Sequence, residues 1–193
     1  MIDPSMDFFL DPARCIGCKA CMAACAECGT HRGESMIQVE YVDRGESPRT
    51  SPVVCLHCEE PACAAACPAD AIKKTADGVV QSALQSRCVG CSNCVLACPF
   101  GVPKYLPKID QMMKCDMCYD RTSRGKRPMC VTVCPSGALA FGPRERIEAA
   151  RRETPFDRLG VAGRVVRTKV KLMAPAGAAE VEMDAAAFME VEA

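Results

Sequence analysis

The sequence is poor in the residues that normally build the core of a small protein. Its 193 residues include no tryptophan, three tyrosines, six phenylalanines and two histidines. Aromatic side chains bury large apolar areas and dominate most cores, so a conventional aromatic core is excluded. Alanine is common instead, and there are seventeen cysteines. We therefore expect alanine and cysteine to occupy space in the interior that larger apolar side chains fill in most small proteins.

Long apolar runs are also missing. No stretch approaches the ~18 apolar residues that a membrane-spanning helix needs. Neither an N-terminal apolar run nor a twin-arginine start precedes the first cysteine. We therefore expect a soluble chain that is cytoplasmic, with export together with a signal-bearing partner as the alternative.

The motifs of common enzymes are absent too. The sequence contains no Ser-His-Asp or Cys-His catalytic arrangement, no H-E-x-x-H, no P-loop and no dinucleotide fingerprint. Because it also has only two histidines, we expect no catalysis in this chain.

The cysteines follow one repeated spacing, seen most clearly from residue 88 to residue 99. Cys88, Cys91 and Cys94 lie at three-residue steps, Cys98 follows four residues later, and Pro99 comes next. This is the spacing of bacterial ferredoxins, in which three thiolates hold one iron–sulfur cluster and the fourth holds the other cluster of a pair. A proline resists helix continuation, so we expect a short helix to end there.

Three further runs repeat this spacing with local changes. In chain order, motif I has Cys15, Cys18, Cys21 and Cys25; motif II has Cys55, Cys58, Cys63 and Cys67; motif III is the run already described; and motif IV has Cys115, Cys118, Cys130 and Cys134. Motif I lacks the proline, so we expect its helix to run through Glu27 towards Gly29. Motif IV has eleven residues between its second and third cysteines, many of them basic, which form either a solvent loop or a docking loop.

Disulfides and zinc are the competing uses of these cysteines. An odd number of cysteines without a secretory signal argues against a disulfide scaffold. Zinc also binds paired C-x2-C sequences, but four runs of four, three of them ending in Cys-Pro, favour iron–sulfur clusters. Cys28 is left over, and we interpret it as a buried small apolar residue rather than a spare or redox-sensitive ligand. His57 lies inside motif II, and we expect it to pack or hydrogen-bond rather than to bind iron, since Rieske-type ligation needs two histidines.

The order of the motifs predicts an α+β fold with short strands and helices. Residues 68–72 echo residues 135–139, each after the last cysteine of a motif, so two ferredoxin-like modules of two motifs each explain the four runs. Alternating or apolar segments predict strands at 8–10, 36–42, 138–141 and 166–172, and Asp77-Gly78 predicts a hairpin turn. We further expect an ordered loop at 100–107, a basic helix at 144–152, a break at 175–179 and a short helix or strand at 184–191.

The four runs resemble those of a known family. They read CIGCKACMAAC, CLHCEEPACAAACP, CVGCSNCVLACPFGVPKY and KCDMCYDRTSRGKRPMCVTVCPSGAL, and they are similar to the four-cluster ferredoxin-like beta subunits of molybdenum- and tungsten-dependent oxidoreductases, the DMSO reductase beta-subunit type. The resemblance covers about residues 8–142. Similar small subunits serve tungsten aldehyde oxidoreductases.

In that family motifs I and IV exchange their last ligands, as do motifs II and III. The resemblance therefore implies four 4Fe-4S clusters in four ligand sets: Cys15, Cys18, Cys21 and Cys134 (set 1); Cys25, Cys115, Cys118 and Cys130 (set 2); Cys55, Cys58, Cys63 and Cys98 (set 3); Cys67, Cys88, Cys91 and Cys94 (set 4). All sixteen positions are cysteine, so no 3Fe-4S centre is expected. Residues 1–54 and 100–154 would form the first module, 55–99 the second module inserted in it, and 155–193 a C-terminal extension.

The resemblance implies an electron-transfer subunit of an oxidoreductase complex. Its partner would be a catalytic molybdopterin subunit containing Mo or W, with a further redox subunit or a membrane quinone subunit as a second partner. The alternatives are a free polyferredoxin carrier and a conductive scaffold that self-assembles through the C-terminal tail. Residues 100–152 carry 11 basic and 5 acidic side chains, which we attribute to cluster charge and an acidic partner rather than to nucleic acid.

Overall fold

A mixed five-stranded sheet joins the beginning of the chain to its C-terminal part. The computed structural model describes residues 1–42, 47–161, 163–174 and 182–183. The strands of this sheet are β1 (Met6–Leu10), β6 (Leu139–Pro143), β7 (Thr154–Val161), β8 (Arg164–Ala174) and β9 (Glu182–Met183). They lie in the order β6, β1, β8, β7, β9. The strands predicted at 8–10, 138–141 and 166–172 are confirmed, whereas the segments 175–179 and 184–191 lie outside the described residues.

Strand β1 has a neighbour on each side. It pairs antiparallel with β6, where Phe8 lies opposite Phe141, and parallel with β8, where Leu10 lies opposite Leu172. Three successive apolar residues of β1, Phe8 to Leu10, are buried. Phe8 and Leu10 pack in the main core on one face of the sheet, whereas Phe9 packs with Met173 and Ile147 on the other. Both faces of β1 are therefore covered, which explains why this segment is apolar throughout.

In the part of the chain that the structure describes, six short α-helices lie between the strands. They are α1 (Ala20–Ala26), α2 (Ala62–Ala65), α3 (Asn93–Ala97), α4 (Tyr119–Thr122), α5 (Met129–Val133) and α6 (Arg144–Ala149). Four of them carry the third cysteine of a motif: Cys21 on α1, Cys63 on α2, Cys94 on α3 and Cys130 on α5. Helix α1 packs against α5, and α2 packs against α3. The basic helix predicted at 144–152 is confirmed as α6, and among the described residues no helix has the length and apolar character to cross a lipid bilayer.

The end of α1 differs from the expectation. We predicted that the missing proline would let this helix run through Glu27, but it ends at Ala26 with Glu27 as its C-cap. The backbone N–H of Cys28 then donates to the carbonyl of Cys25 at 3.1 Å, and the N–H of His31 donates to the carbonyl of Cys28 at 2.9 Å. The chain therefore continues as a series of turns, because these short-range bonds replace the helical pattern. Helices α3 and α5, by contrast, end directly before the Cys-Pro pairs.

Two small antiparallel pairs complete the secondary structure. Strand β2 (Gln38–Tyr41) pairs with β3 (Thr50–Val53), and β4 (Lys104–Leu106) pairs with β5 (Gln111–Met113). The strand predicted at 36–42 is thus confirmed in its central part, but the loop predicted at 100–107 is partly wrong. A 3-10 turn over Pro107–Ile109 and a left-handed Asp110 reverse the chain, and this reversal brings residues 104–106 beside β5.

The hairpin signal at Asp77-Gly78 produces a tight turn with little strand. Gly78 has a φ of +84°, the N–H of Thr75 donates to the carbonyl of Val79 at 2.9 Å, and Lys74 bridges to Val80. Glycine is required here because that φ is unfavourable for other residues.

Part of the core is made of small residues. Around α2 and α3 the buried residues are alanines, medium-sized aliphatic side chains and cysteines: Cys63, Ala71, Ile72, Val80, Ala83, Cys94 and Met112. No aromatic side chain is among them. This agrees with the scarcity of aromatic residues in the sequence.

Candidate metal centres

The first two cysteines of each motif lie on a loop with left-handed backbone. The residue immediately before the second cysteine has a positive φ in all four motifs: Gly17 (69°), His57 (49°), Gly90 (67°) and Met117 (60°). In motif II the N–H of His57 donates to Sγ of Cys55 at 3.4 Å, and in motif IV the N–H of Met117 donates to Sγ of Cys115 at 3.3 Å. Such donors stabilise a thiolate.

In motifs I and III the neighbouring side chains also require glycine at this position. A Cβ on Gly17 would lie 3.2 Å from the side chain of Thr50, and a Cβ on Gly90 would lie 3.1 Å from the hydroxyl of Tyr105. The hydroxyl of Thr50 in turn donates to Sγ of Cys15 at 3.3 Å. Thr50 therefore lies close to Gly17 and also hydrogen-bonds to a motif sulfur.

A second left-handed residue follows each Cys-Pro pair. It lies three residues after the last cysteine of the motif and is Asp70, Gly101 or Gly137, with φ of 49°, 60° and 68°. In motif II this turn lets the N–H of Ala71 donate to Sγ of Cys67 at 3.3 Å. The two segments 68–72 and 135–139, which are similar in sequence, therefore also share a left-handed residue at the same position, Asp70 in one and Gly137 in the other.

Two groups of four cysteines lie near the surface. One cavity is lined by Cys15, Cys18, Cys21 and Cys134, and another is lined by Cys67, Cys88, Cys91 and Cys94. Cys18 and Cys91 are exposed. Burial, together with the thiolates of Cys134, Cys15 and Cys18, raises the pKa of Cys21 to about 11. Burial also raises the pKa of Cys94, with a smaller effect from Cys67 and Cys91.

The other eight motif cysteines are more deeply placed. Cys25, Cys115, Cys118 and Cys130 are all buried. Burial, with the thiolates of Cys25 and Cys130 among its neighbours, raises the pKa of Cys115 far above its usual value. Near them, burial and the thiolates of Cys55, Cys98 and Cys63 raise the pKa of Cys58 to about 12. Two groups of four cysteines thus line one cavity each, and Cys58 lies near Cys55, Cys98 and Cys63. Among the neighbouring thiolates, Cys55 has the largest effect on the pKa of Cys115, ahead of Cys130 and Cys25.

Exposed apolar side chains surround the two surface groups. Ile16, between Cys15 and Cys18, is 66% exposed; Val89, between Cys88 and Cys91, is 66% exposed; and Leu96, on α3, is 85% exposed. A single exposed apolar residue is ordinary, but these three flank the cysteines nearest the solvent.

Lys114 is completely buried between two of the groups, with 0% of its surface exposed. Its Nζ donates to Sγ of Cys55 at 3.6 Å, to the carbonyl of Cys115 at 3.0 Å and to the carbonyl of Val80. Next to it, His57 is also buried, and its Nδ1 accepts from the N–H of Val80 at 3.0 Å. Burial and the charge of Lys114 lower the pKa of His57 well below its usual value. As expected, His57 is a packed, hydrogen-bonding residue.

His31 forms a second buried polar contact, which the sequence did not reveal. Its Nε2 donates to Oδ1 of Asp116 at 3.0 Å, and its Nδ1 lies 3.0 Å from the carbonyl of Cys25 and 3.2 Å from Sγ of Cys25. Burial opposes a charged ring, but the hydrogen bonds with Asp116 and Cys25 outweigh it and raise the pKa of His31 to about 10. Both nitrogens therefore act as donors, and the ring is charged at neutral pH.

Cys28 lies beside this network. It is buried, and its Sγ lies 3.3 Å from the hydroxyl of Thr30 and donates to Oδ1 of Asp120 at 3.7 Å. Ligand atoms of Cys28, His31 and Asp116 lie within 4.8 Å of one another. Because both nitrogens of His31 are used as donors, we interpret this trio as a hydrogen-bonded cluster rather than an ion site.

The chemistry of the donor groups fits iron–sulfur clusters. The two cavities are each lined by four cysteine sulfurs, and thiolates are the ligands of 4Fe-4S clusters. Burial and neighbouring thiolates raise the pKa of Cys21 to about 11, which makes loss of its proton less favourable in the absence of metal. Metal binding displaces such protons, so these groupings become sets of thiolates only when they are loaded.

Comparison with known proteins also indicates iron–sulfur cluster binding. A family model described as "4Fe-4S dicluster domain" matches residues 48–144. The sequence is 39% identical over 149 residues to the B subunit of the anaerobic dimethyl sulfoxide reductase of Escherichia coli (strain K12), which is 70% of this protein and 72% of that subunit. It is 37% identical over 153 residues to YnfG, a probable anaerobic dimethyl sulfoxide reductase subunit of the same strain, covering 72% and 74%. It is 34% identical over 166 residues to the nitrate-inducible formate dehydrogenase iron-sulfur subunit, also of that strain, covering 74% of this protein and 56% of that subunit.

Proposed function

Because this protein belongs to the 4Fe-4S dicluster family, with a dimethyl sulfoxide reductase subunit and a formate dehydrogenase iron–sulfur subunit as relatives, we propose that it carries four 4Fe-4S clusters. In this proposal it is a non-catalytic electron-transfer subunit that connects a molybdenum- or tungsten-containing catalytic subunit to an electron donor or acceptor. The observation that carries the proposal is that Cys15, Cys18, Cys21 and Cys134 line one cavity and Cys67, Cys88, Cys91 and Cys94 line another. Bound clusters would supply one-electron redox chemistry.

The ligand sets in this proposal are the four that the resemblance implies. Support for sets 1 and 4 comes from the two cavities that their cysteines line. Support for sets 2 and 3 comes from the mutual effects of their thiolates on pKa. Backbone and side-chain donors to Cys15, Cys25, Cys55, Cys67 and Cys115 would stabilise the ligating thiolates.

We also propose that the ligands are arranged in two nested modules. The packing of α1 on α5 and the pairing of β1 with β6 support a first module made of 1–54 and 100–154. The packing of α2 on α3 supports a second module of 55–99 inserted in it. Residues 155–193 would be an extension, of which the described part shares a sheet with β1.

Two surfaces suit contact with redox partners. They are the surroundings of Cys18 with Ile16, and the surroundings of Cys91 with Val89 and Leu96. Exposed apolar side chains around an accessible cysteine group favour a protein contact that excludes water at the site of electron exchange. One partner would be the molybdopterin subunit, and the other a further redox subunit or a quinone subunit. The location remains a proposal: cytoplasmic, or exported with a signal-bearing partner.

Metal analysis of protein purified without oxygen tests the proposal. Four 4Fe-4S clusters require about sixteen irons and about sixteen acid-labile sulfides per chain. A freshly isolated protein with fewer than about twelve irons, or one that contains zinc, would contradict four clusters. Copurification of a large molybdopterin-containing subunit would separate the subunit role from that of a free polyferredoxin, which would elute alone.

A conductive self-assembling scaffold is the remaining alternative. In the described part of the extension, β8 is flanked on both sides by β1 and β7 of the same chain, so its edges are not free for another copy. Mass measurement of the intact protein in solution checks this alternative, because a scaffold requires large oligomers.

A further inference from the structure

Lys114 is the one completely buried lysine or arginine among the residues that the structure describes. Long cationic side chains almost never bury their charge unless it is paired. No carboxylate of the described residues forms an ion pair with Lys114, whereas seven other side chains do form ion pairs within that part of the chain: Arg14, His31, Lys73, Arg87, Arg144, Arg151 and Lys171. Its buried charge therefore needs another compensating group.

The contacts of Nζ are all with hydrogen-bond acceptors. Its three partners are the carbonyls of Val80 and Cys115 and the sulfur of Cys55. A lysine ammonium has three N–H donors and no acceptor, and here each of the three partners is an acceptor. Two of the partners are neutral carbonyls, so the sulfur of Cys55 is the contact that can carry a full negative charge.

The charge of Lys114 also reaches the rest of the same cysteine group. It acts to lower the pKa of Cys63, although burial and other thiolates raise that pKa overall. On its other side Lys114 is covalently next to Cys115 and hydrogen-bonds to its carbonyl. The Nζ of Lys114 thus hydrogen-bonds both to a sulfur of set 3, that of Cys55, and to the backbone of a set 2 cysteine, Cys115.

We infer that Lys114 is a positioning residue whose buried charge raises the reduction potential of the cluster held by Cys55, Cys58, Cys63 and Cys98. This inference rests on the proposed function. A 4Fe-4S cluster gains one negative charge on reduction, and no bond to the protein forms or breaks. A nearby buried cation stabilises the more negative form, because charges interact strongly where water is excluded.

The test compares three variants of the full chain, purified without oxygen. Lys114→Met removes the charge and keeps an unbranched chain; Lys114→Arg keeps the charge; and Lys108→Met removes a charge at an exposed position. Potentials are read by electron paramagnetic resonance during a redox titration. The signal of the set 3 cluster is assigned by the change that Cys58→Ser produces.

In Lys114→Met we expect wild-type iron and sulfide but at least a tenfold smaller equilibrium constant for reducing the set 3 cluster, which is a drop of about 59 mV for one electron. Lys108→Met should leave every potential unchanged. Full iron with an unchanged set 3 potential in Lys114→Met overturns the inference, as does an equal shift in Lys108→Met.

Loss of iron is also decisive. Loss in Lys114→Met but not in Lys114→Arg supports the role of the charge, whereas equal loss in both overturns it, because shape alone would then matter. Failure of the proposed function is distinguishable, since the wild-type protein would then lack iron before any variant is compared.

Discussion

The glycines before Cys18 and Cys91 show how single residues shape these loops. Each has a left-handed backbone and a close side-chain neighbour, Thr50 or Tyr105. His57 and Met117 adopt the same backbone with full side chains. The left-handed turn is therefore common to all four motifs, and glycine is needed only in the two where the neighbour is close.

Gly90→Ala tests this distinction. The left-handed backbone costs an alanine about 1–2 kcal/mol, and the contact with Tyr105 adds about 1 kcal/mol or more of overpacking. Gly125→Ala is the matched control, because Gly125 has a φ of +73° and nothing within 4 Å of the added Cβ. We expect the thermal midpoint of the loaded protein to fall further in Gly90→Ala than in Gly125→Ala. Equal decreases would show that the Tyr105 contact is unimportant.

Cys28 offers a second prediction at this scale. It is buried against Cys118 but belongs to none of the four groups of ligands. In Cys28→Ala we expect unchanged iron content and a loss of about 1 kcal/mol of stability from the missing hydrogen bond and the small cavity. Cys21→Ala, which removes a group member, should lose about four irons. A comparable iron loss in Cys28→Ala would make Cys28 a ligand.

At the scale of elements, β8 holds the loop of motif II in place. The N–H of Lys169 donates to the carbonyl of His57 at 3.1 Å, the N–H of Val170 donates to the carbonyl of Leu56 at 3.1 Å, and the N–H of Glu59 donates to the carbonyl of Arg167 at 2.8 Å. The same strand pairs with β1. Strand β8 therefore supports the loop of motif II and also pairs with the strand that precedes motif I.

Lys169→Pro tests this support against Lys169→Ala. Both variants lose the lysine side chain, but only proline removes the N–H that donates to His57. We expect Lys169→Pro to lose about four irons per chain, from the set that includes Cys55 and Cys58, and Lys169→Ala to keep them. Equal iron content in the two variants would mean that β8 does not support the motif II loop.

Sequence patterns predicted some elements better than others for a physical reason. The alternation over 166–172 predicted β8 and the apolar run at 8–10 predicted β1, because the period of a strand is local information. That the two strands pair, and that β8 also binds residues 56–59, depends on contacts between distant segments. The helix end at Ala26 was missed because turns involving Cys28 and His31 compete with the helix.

At the metal centres too, local sequence patterns were predictive, whereas contacts between distant segments were not. Cysteine spacing is a local pattern, and it marked the sixteen motif cysteines, whereas their division into four ligand sets is implied by the family resemblance and stays a proposal. The contacts of His31 with Asp116 and of Lys114 with Cys55 join segments far apart in sequence, and no spacing marks them. Lys114 directly precedes a motif cysteine in the sequence, but its contact with Cys55 is seen only in the structure.

At the scale of the whole molecule, one carboxylate joins three separate segments. Asp77, in the turn between motifs II and III, accepts from the N–H of Ile2 at 2.6 Å, from the hydroxyl of Tyr119 at 3.1 Å and from the hydroxyl of Thr75. Ile2 and Tyr119 belong to the proposed first module, and Asp77 belongs to the proposed inserted module. Asp77 is thus a polar link between the two.

Asp77→Asn tests this link, because an amide keeps the shape but replaces one acceptor oxygen by a donor. We expect a loss of about 1–2 kcal/mol, which corresponds to a thermal midpoint lower by about 2–8 °C. Asp3→Asn is the control, since Asp3 is exposed and its carboxylate accepts from the backbone N–H and the hydroxyl of Ser5 in the same turn. An effect of Asp77→Asn no larger than that of Asp3→Asn would show that the link contributes little.

The pKa of Asp77 sets the pH range of this effect. Burial acts to raise the pKa of this carboxyl, but hydrogen bonds from Thr75, Ile2 and Tyr119 outweigh burial and lower it. A lowered folded-state pKa contributes stability that is complete above the unfolded value of about 3.9 and is lost as pH falls through the folded value. Between about pH 6 and about pH 8, the difference in midpoint between Asp77→Asn and the wild type should therefore be constant. A difference that varies within this range would mean that another group, and not the Asp77 carboxylate, controls the contact.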